Sequence, residues 1–303
     1  MELFEVQKDE AGFRIDQWLA DKFKPQFSRT YFVELIDEGL VLINGESVKK
    51  REKVAPGDTV EVCFAERPGI NLAPEPIPLD IVYEDKDLLV VNKPAGLVVH
   101  PAPGNESGTF VNALLYHCQG RVEDKSLRPG IVHRLDKDTT GLLVAAKNLE
   151  AQKRLIHSFS NRNVKKEYLA ITVGRPREGR LETKIGRDPK NRKKMAVLEK
   201  TSEQGKTAIT EIQVLKTKKE LSWVRLILET GRTHQIRVHL QHLNTPILGD
   251  PLYGSRTANL RYKADNIYLH AWRLSFPHPT TGQILAFEVT PTRLSSFFEL
   301  GSV

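Results

Sequence analysis

Hydrophobic positions fall into two stretches of different rhythm. In FRIDQWLADKF the apolar residues Phe13, Ile15, Trp18, Leu19 and Phe23 recur at helical spacing. Ser28 precedes RTYFVELIDEG as an N-cap for a second helix, and Gly39 stands where a C′ glycine would end it. LVLING and TVEVCF read as short strands, with turn chemistry at Asn44-Gly45 and at Pro56-Gly57-Asp58. The pattern predicts two helices followed by a small hairpin-rich sheet.

After residue 77 the rhythm changes to period two and to short continuous apolar runs. Strands are expected at 81–83, 88–91 and 142–146, and in KKEYLAITVG, LSWVRLILET, YLHAWRLSF and ILAFEVT. Helices are expected over 109–118, in LEAQKRLIHSFS, and in THQIRVHLQHL, where Ile236, Leu240 and Leu243 share a face. Strands outnumber helices and several are joined by tight turns. The expected class is α+β, with a mixed, largely antiparallel sheet and peripheral helices. Between the two stretches lie Pro68, Gly69, Pro74, Pro76 and Pro78. Prolines at that density prevent a helix and interrupt a ladder, so a small domain over 1–66, a linker over 67–77 and a larger domain over 78–303 are expected.

Composition narrows the function. The 303 residues carry a formal net charge of +7. Residues 1–66 hold 9 Lys and Arg against 14 Asp and Glu, so the remaining 36 against 24 concentrate a positive field in the second domain. Such a field attracts polyanions, nucleic acid above all. Cys63 and Cys118 lie far apart in apolar contexts and read as buried thiols, not a disulfide or a metal site. No apolar run approaches membrane-spanning length, and MELFEVQKDE lacks the features of a secretory signal, so a cytoplasmic protein is expected.

Four segments carry candidate chemistry. In GIVHRLDKDTTGLLVAAKN, the cluster His133-Arg134-Leu135-Asp136 interrupts two apolar runs; it reads either as a polar turn or as the seat of a titratable carboxylate. In Gly231-Arg232-Thr233-His234-Gln235-Ile236-Arg237 a strand ends at a glycine and delivers a cation to the mouth of a helix. Arg232 there suits a forked bond to a carboxylate, a phosphate clamp or a helix-start ion pair. His234 and His239 are spaced wrongly for two metal ligands on one helix face, and no metal is expected. In Lys165-Lys166-Glu167-Tyr168 a tyrosine follows basic residues into a strand, fit to stack on a base or simply to pack. Residues 175–200 hold ten Lys and Arg against four Asp and Glu, with Arg187, Lys190, Arg192, Lys193 and Lys194 crowded around Asp188-Pro189. This reads as a phosphate-facing loop or hairpin, or as a solvated charged loop.

Together these segments resemble a known family. RIDQWL, SRTYFVELIDEGLVLINGESV and APGDTVEV, over about residues 12–63, are similar to the S4 RNA-binding domain. The resemblance implies that Arg14, Ser28, Arg29, Lys49, Lys50 and Arg51 face RNA, although this segment is net acidic. NKPAGLVVHP, GIVHRLDKDTTGLLVAAKN, KKEYLA and GRTHQIRVHL, within about residues 78–297, resemble the signature segments of RluA-family pseudouridine synthases; Thr140 stands where that family often has Ser.

The resemblance implies isomerisation of specific uridines in large-subunit ribosomal RNA, free or in an assembling subunit, without cofactor; a monomer is expected apart from it. It implies that Asp136 is the catalytic carboxylate, with Arg232 pairing and orienting it. Tyr168 would stack on the uracil and assist loss of the C5 proton. Arg134 would occupy the space of a flipped base, and Ile236 would supply an apolar wall. Lys190, Arg192, Lys193 and Lys194 would hold phosphates. Another rRNA or tRNA site is an alternative target. A non-catalytic S4-type RNA-binding protein is the rival from another class. An S4-linked methyltransferase would need a Gly-rich turn after a strand, which is not found; a glycosidic hydrolase would call for two convergent carboxylates, which Asp136 and Asp138 in one turn suit poorly.

Overall fold

A computed structural model describes residues 2–23, 27, 29–64, 72–102, 104–119, 122, 129–191, 193–199, 201, 202 and 204–300. The chain divides into two compact units, Met1–Gly69 and Ile70–Val303.

In the first unit, β1 (Glu2–Glu5), β2 (Val41–Ile43), β3 (Glu46–Ser47) and β4 (Thr59–Val62) form an antiparallel sheet in the order β1-β4-β2-β3. Helices α1 (Ile15–Lys22) and α2 (Arg29–Asp37) bury Ile15, Trp18, Leu19, Phe32, Leu35 and Ile36 against Val41, Val60 and Val62. The expected helix stop is present: Gly39 at φ 73° donates to the Ile36 carbonyl at 3.0 Å, and Leu40 donates to Leu35 at 2.8 Å. That pair of bonds is a Schellman motif, which needs a residue free to turn left-handed. Asn44 at φ 52° and Gly45 at φ 81° make the tight hairpin between β2 and β3. Strand β1, which the pattern did not reveal, pairs with β4 along its full length.

The second unit is built on one sheet. Its strands are β5 (Ile81–Glu84), β6 (Leu88–Lys93), β7 (Thr140–Ala146), β8 (Lys165–Val173), β9 (Gly179–Arg187), β10 (Met195–Leu198), β11 (Lys206–Lys218), β12 (Leu221–Leu228), β13 (Leu269–Pro277) and β14 (Ile284–Glu288). Their order is β10-β9-β11-β12-β8-β13-β7-β6-β5, with β14 pairing β13. Among the described residues only β7 and β13 pair in parallel. The helices are α3 (Phe110–His117), α4 (Leu149–Ser160), α5 (Gln235–His242), α6 (Arg256–Arg261) and α7 (Thr292–Leu300).

The period-two alternation accounts for the layering. Leu89, Val91, Leu143 and Ala145 join one core with Phe110 and Leu114 of α3 and with Ile236 and Leu240 of α5. Their neighbours Leu88, Val90, Leu142 and Val144 point to the other face, against Ala151 and Leu155 of α4. Strands buried on both faces read as unbroken apolar runs, and LLVV and LLVAA are that. The start of β7 is pressed against β13: Gly141 lies at φ 104°, and a Cβ there would stand 2.3 Å from the Ala271 carbonyl oxygen. Only glycine fits, and the contact fixes where the preceding loop ends.

The proline-rich stretch differs from its expected role as linker. From Ala73 onward it is fastened to the second unit: Asn112 Nδ2 donates to the Ala73 carbonyl at 2.9 Å, and Glu75 N–H donates to Asn112 O at 3.0 Å. The Glu75 carboxylate in turn accepts the Gly108 N–H at 3.0 Å. Extended, proline-rich backbone with free carbonyls serves as a strap as readily as a spacer.

Candidate active site

Asp136 sits in the loop that runs from Gly130 into β7, and three anchors, the buried Leu135 and Lys93 and the half-buried His133, shape that loop. Leu135 is 4% exposed and packs in the core beneath α5. His133 Nε2 accepts the Val144 N–H at 3.0 Å while its ring stacks on Phe159 at 4.6 Å. Burial, aided by the neighbouring Lys166 charge, pushes the His133 pKa down to about 3, so the ring is a neutral wedge carrying its proton on Nδ1. Lys93, at the end of β6, is 1% exposed and donates to the carbonyls of Pro94, Leu97 and Lys137 at 2.8, 2.9 and 2.8 Å. An ammonium with three carbonyl acceptors ties the NKPAGL turn to the loop that carries Asp136. Burial pulls its pKa down to about 8, against the opposing pull of Asp138 and Asp136. Thr140 closes the loop: its hydroxyl lies 2.7 Å from His270 Nδ1, and His270 Nε2 bonds the Val289 carbonyl at 3.0 Å. A carbonyl only accepts, so the His270 proton is on Nε2 and Thr140 is the donor.

The guanidinium that meets Asp136 is that of Arg237, not Arg232. Arg237 Nη1 lies 3.0 Å from Asp136 Oδ2. Its Nε and Nη2 form a fork on Asp250 at 2.7 and 2.9 Å. Asp250 is buried, and its Oδ1 also accepts the backbone N–H groups of Leu252 and Tyr253 at 2.8 and 2.9 Å. Burial opposes the Arg237 charge, but the bonds and charge of Asp250, with those of Asp136, outweigh it and hold its pKa above the ordinary value. Arg232 instead turns its Nε to the Thr207 carbonyl at 2.9 Å. The reason is position. Arg232 lies between the end of the interior strand β12 and the start of α5, whereas Arg237 is the third residue of the helix, on the face that meets the Asp136 loop.

A small cleft of about 100 Å³ opens beside this pair, lined by Arg134, Leu135, Asp136, Tyr168, Leu228, Arg232, His234, Ile236, Arg237 and Leu269 among others. Tyr168 and Ile236 are 8% and 4% exposed, and with Leu228 and Leu269 they make the apolar side. Burial, and then the Asp136 charge, raises the Tyr168 pKa, so its phenol stays protonated. That suits a flat stacking surface with a polar tip better than a ready proton acceptor. Arg134 is exposed at the rim. Lys166, whose pKa is lowered to about 8 by burial and then by Arg232, adds a second cation beside the Gly231 turn. The cleft therefore pairs a carboxylate with an aromatic and aliphatic wall under a cationic rim, a chemistry fitted to a flat heterocycle on a polyanion.

The basic segment is a hairpin. β9 and β10 pair antiparallel, and Asp188 Oδ1 caps the turn by accepting the N–H groups of Lys190 and Asn191 at 2.8 and 3.3 Å. Lys190 and Lys193 are exposed at its tip. Lys194 reaches back over the Tyr253 ring at 5.6 Å, toward the Asp136 side of α5. Arg192 lies outside the described residues. His239 is structural: Thr183 and Thr210 hydroxyls sit 2.9 Å from its two ring nitrogens. In the first unit, Arg14 and Arg29 both bind the buried Asp16 carboxylate, at 3.0 and 2.7 Å. Burial penalises that carboxylate, but Arg29 and Arg14 prevail and lower its pKa. Lys50 lies beside them, its carbonyl 3.4 Å from Arg14 Nη2, and Lys49, Lys50 and Arg51 are exposed. Ser28 lies outside the described residues. A buried aspartate that fixes two arginines supplies a local cationic face on a domain that is acidic overall.

Two residues of weight were not singled out from sequence. Arg237 stood in a quoted motif without a role, and Asp250 lies thirteen positions beyond it in a loop with no pattern of its own. An Arg on the inward face of an apolar helix was the available signal, since such a charge requires a partner.

Comparisons with known proteins give the family. The profile of the RNA pseudouridylate synthase family matches residues 87–242, and that of the S4 domain matches residues 13–60. The chain is 46% identical over 294 residues to the ribosomal large subunit pseudouridine synthase D of Neisseria meningitidis serogroup B, covering 92% of this chain and 75% of that protein. It is 44% identical over 288 residues to an uncharacterized RNA pseudouridine synthase of Bacillus subtilis, covering 94% and 91%. Among solved structures, human RNA pseudouridylate synthase domain containing 4 superposes with a TM-score of 0.58 at 30% identity, covering 73% of this chain and 92% of that one. With the cleft, its carboxylate and the S4 module in place, the chain belongs to the RNA pseudouridylate synthase family and carries that family's uridine-isomerising activity on RNA behind an N-terminal S4 domain.

Proposed function

We propose that the chain converts uridines of large-subunit ribosomal RNA to pseudouridine, with Asp136 as the working carboxylate. One observation carries the assignment of the site: Asp136 is the acid in the cleft that is both paired, through Arg237, and set against an apolar wall holding Tyr168 and Ile236. The reaction breaks the C1′–N1 bond and joins C1′ to C5; C5 loses a proton and N1 gains one. Nothing is oxidised and no water is consumed, so the isomerisation calls for no redox or group-carrying cofactor. Attack at C1′ or at C6, and proton removal from C2′, are all within the reach of a carboxylate.

A base inside a helix is out of reach, and extruding it costs about a few kcal/mol. Arg134 at the cleft rim fills the vacated position, and Tyr168 stacks on the turned-out uracil. Arg232, bonded to the Thr207 carbonyl and not to Asp136, faces the RNA backbone with Lys166. Lys190, Arg192, Lys193 and Lys194 hold phosphates from the hairpin, and the arginines fixed by Asp16 do so from the S4 unit, with Lys49, Lys50 and Arg51. The large-subunit target rests on the names of the similar proteins; a monomer acting in the cytoplasm is part of the same proposal. Among the described residues no helix is long and apolar enough to cross a membrane.

Mapping pseudouridines in unmodified large-subunit rRNA by carbodiimide-dependent reverse-transcription stops tests the reading. New stops at specific uridines are expected. Stops only in tRNA would move the target, and binding without stops on any RNA would return the chain to a binding module.

A further inference from the structure

His234 opens α5 in a conformation that side chains rarely adopt, at φ 57° and ψ 18°. Left-handed backbone at a non-glycine residue tends to persist where the surroundings hold a side chain to a task. Here the ring is held from one side and aimed at the other. Its Nδ1 lies 2.9 Å from the Tyr253 hydroxyl, and that oxygen already accepts the Met195 N–H at 2.8 Å. Tyr253 is 2% exposed, and burial raises its pKa, so the phenol keeps a proton to give. The arrangement that satisfies every atom has Tyr253 donating to Nδ1, which leaves the histidine proton on Nε2. Nε2 stands 4.0 Å from Asp136 Oδ2, the same oxygen that Arg237 Nη1 approaches at 3.0 Å.

We infer that His234 is a positioning residue for Asp136: its Nε2–H, fixed by Tyr253, stands by the same Oδ2 that Arg237 binds, so that both donors serve one oxygen and Oδ1 is the one presented to the uridine. The inference rests on the pseudouridine synthase reading of the cleft. Charge around the ring supports a neutral imidazole. Burial lowers its pKa first; Asp136 and Asp250 pull it up, and Arg237 and Arg134 push it down. A neutral donor orients the carboxylate without adding a second full cation that would quench it. The device also links the site to the RNA-facing hairpin, because Met195 begins β10 immediately after Lys194.

Two substitutions separate positioning from a backbone role. Asn tolerates left-handed backbone and overlays only Nδ1, whereas Gln extends an amide N–H to the place of Nε2. Initial rates of tritium release from rRNA labelled at uridine C5, with melting temperatures as a control of folding, give kcat and KM for each. His234→Asn is expected to lower kcat by about 100-fold with KM within about threefold, and His234→Gln to retain kcat within about tenfold. Tyr253→Phe, which keeps the ring and loses the donor, is expected to lower kcat with KM unchanged. Asn matching or exceeding Gln, or losses confined to KM, would overturn the inference while leaving an active wild type. A wild type that releases no tritium from any RNA would overturn the functional reading instead, and this inference with it.

Discussion

At the scale of single residues, the site is a set of charges and neutral rings held by burial. The Arg237 fork on Asp250 leaves one nitrogen for Asp136, so the shape of the guanidinium matters as much as its charge. Arg237→Lys keeps the charge and loses the fork; kcat is expected to fall by about 100-fold while RNA affinity holds, because a point charge cannot satisfy both carboxylates. Steady-state kinetics beside a filter-binding assay checks this. The half-buried His133 and the buried His239 give a pH dependence of stability. His133 and His239 have folded pKa values lowered to about 3 and about 4, chiefly by burial. Below about pH 6.5 the unfolded chain binds protons that the folded one refuses, so stability rises with pH and falls on acidification. Urea unfolding between pH 6.5 and 4 is expected to lose about 1 kcal/mol per pH unit for each histidine. His133→Gln, which keeps an acceptor for Val144, is expected to flatten that slope by one group. An unchanged slope would contradict the neutral-wedge account. HRLD interrupting two apolar runs marked Asp136 only as a polar turn or a candidate carboxylate, and the resemblance of the surrounding segments is what singled it out. Its partner was not, because GRTHQIR offers two arginines and only the turn of α5 decides which one faces the loop.

At the scale of elements, the strands and helices that carry the site follow from the apolar pattern. β6, β7 and β8 read as strands because both faces of the sheet are covered there, β12 reads as one from its aromatic and β-branched content and alternates buried with half-buried residues, and α5 reads as a helix from Ile236 and Leu240. What the pattern hid has physical causes. β1 carries the alternation of an exposed edge in only four residues. β11 opens with polar residues and bends at the irregularity between Val214 and Lys216, so its period breaks. The strap from Ala73 to Ile77 looks like a linker, because proline composition is the same whether or not a segment is fastened down. The β9–β10 hairpin gave a clearer signal, and its turn is built by Asp188 rather than left as a loose charged loop. Replacing Lys190, Arg192, Lys193 and Lys194 together by Gln is expected to weaken RNA binding and to reduce the slope of log K against log salt by about 2 to 3. Binding measured over a salt series checks it, and an unchanged slope would show that these cations point away from the RNA.

At the scale of the whole molecule, two units divide the work. The S4 unit supplies a cationic face through Asp16, Arg14 and Arg29 on an otherwise acidic surface. The larger unit supplies a cleft in which a carboxylate, a fork of arginine and a wall of apolar groups come from widely separated stretches of chain. Charge asymmetry between the two was visible in composition, but it pointed only to a polyanion; the local pairing that makes the acidic unit fit to bind required the folded positions of residues 14, 16 and 29. The central claim is that Asp136 performs the chemistry. It is tested by single-turnover tritium release from large-subunit rRNA labelled at uridine C5, comparing wild type with Asp136→Asn at matched RNA occupancy. The account predicts release by the wild type and none by the variant, with RNA affinity unchanged within about threefold. Release by Asp136→Asn at a rate near that of the wild type would contradict it.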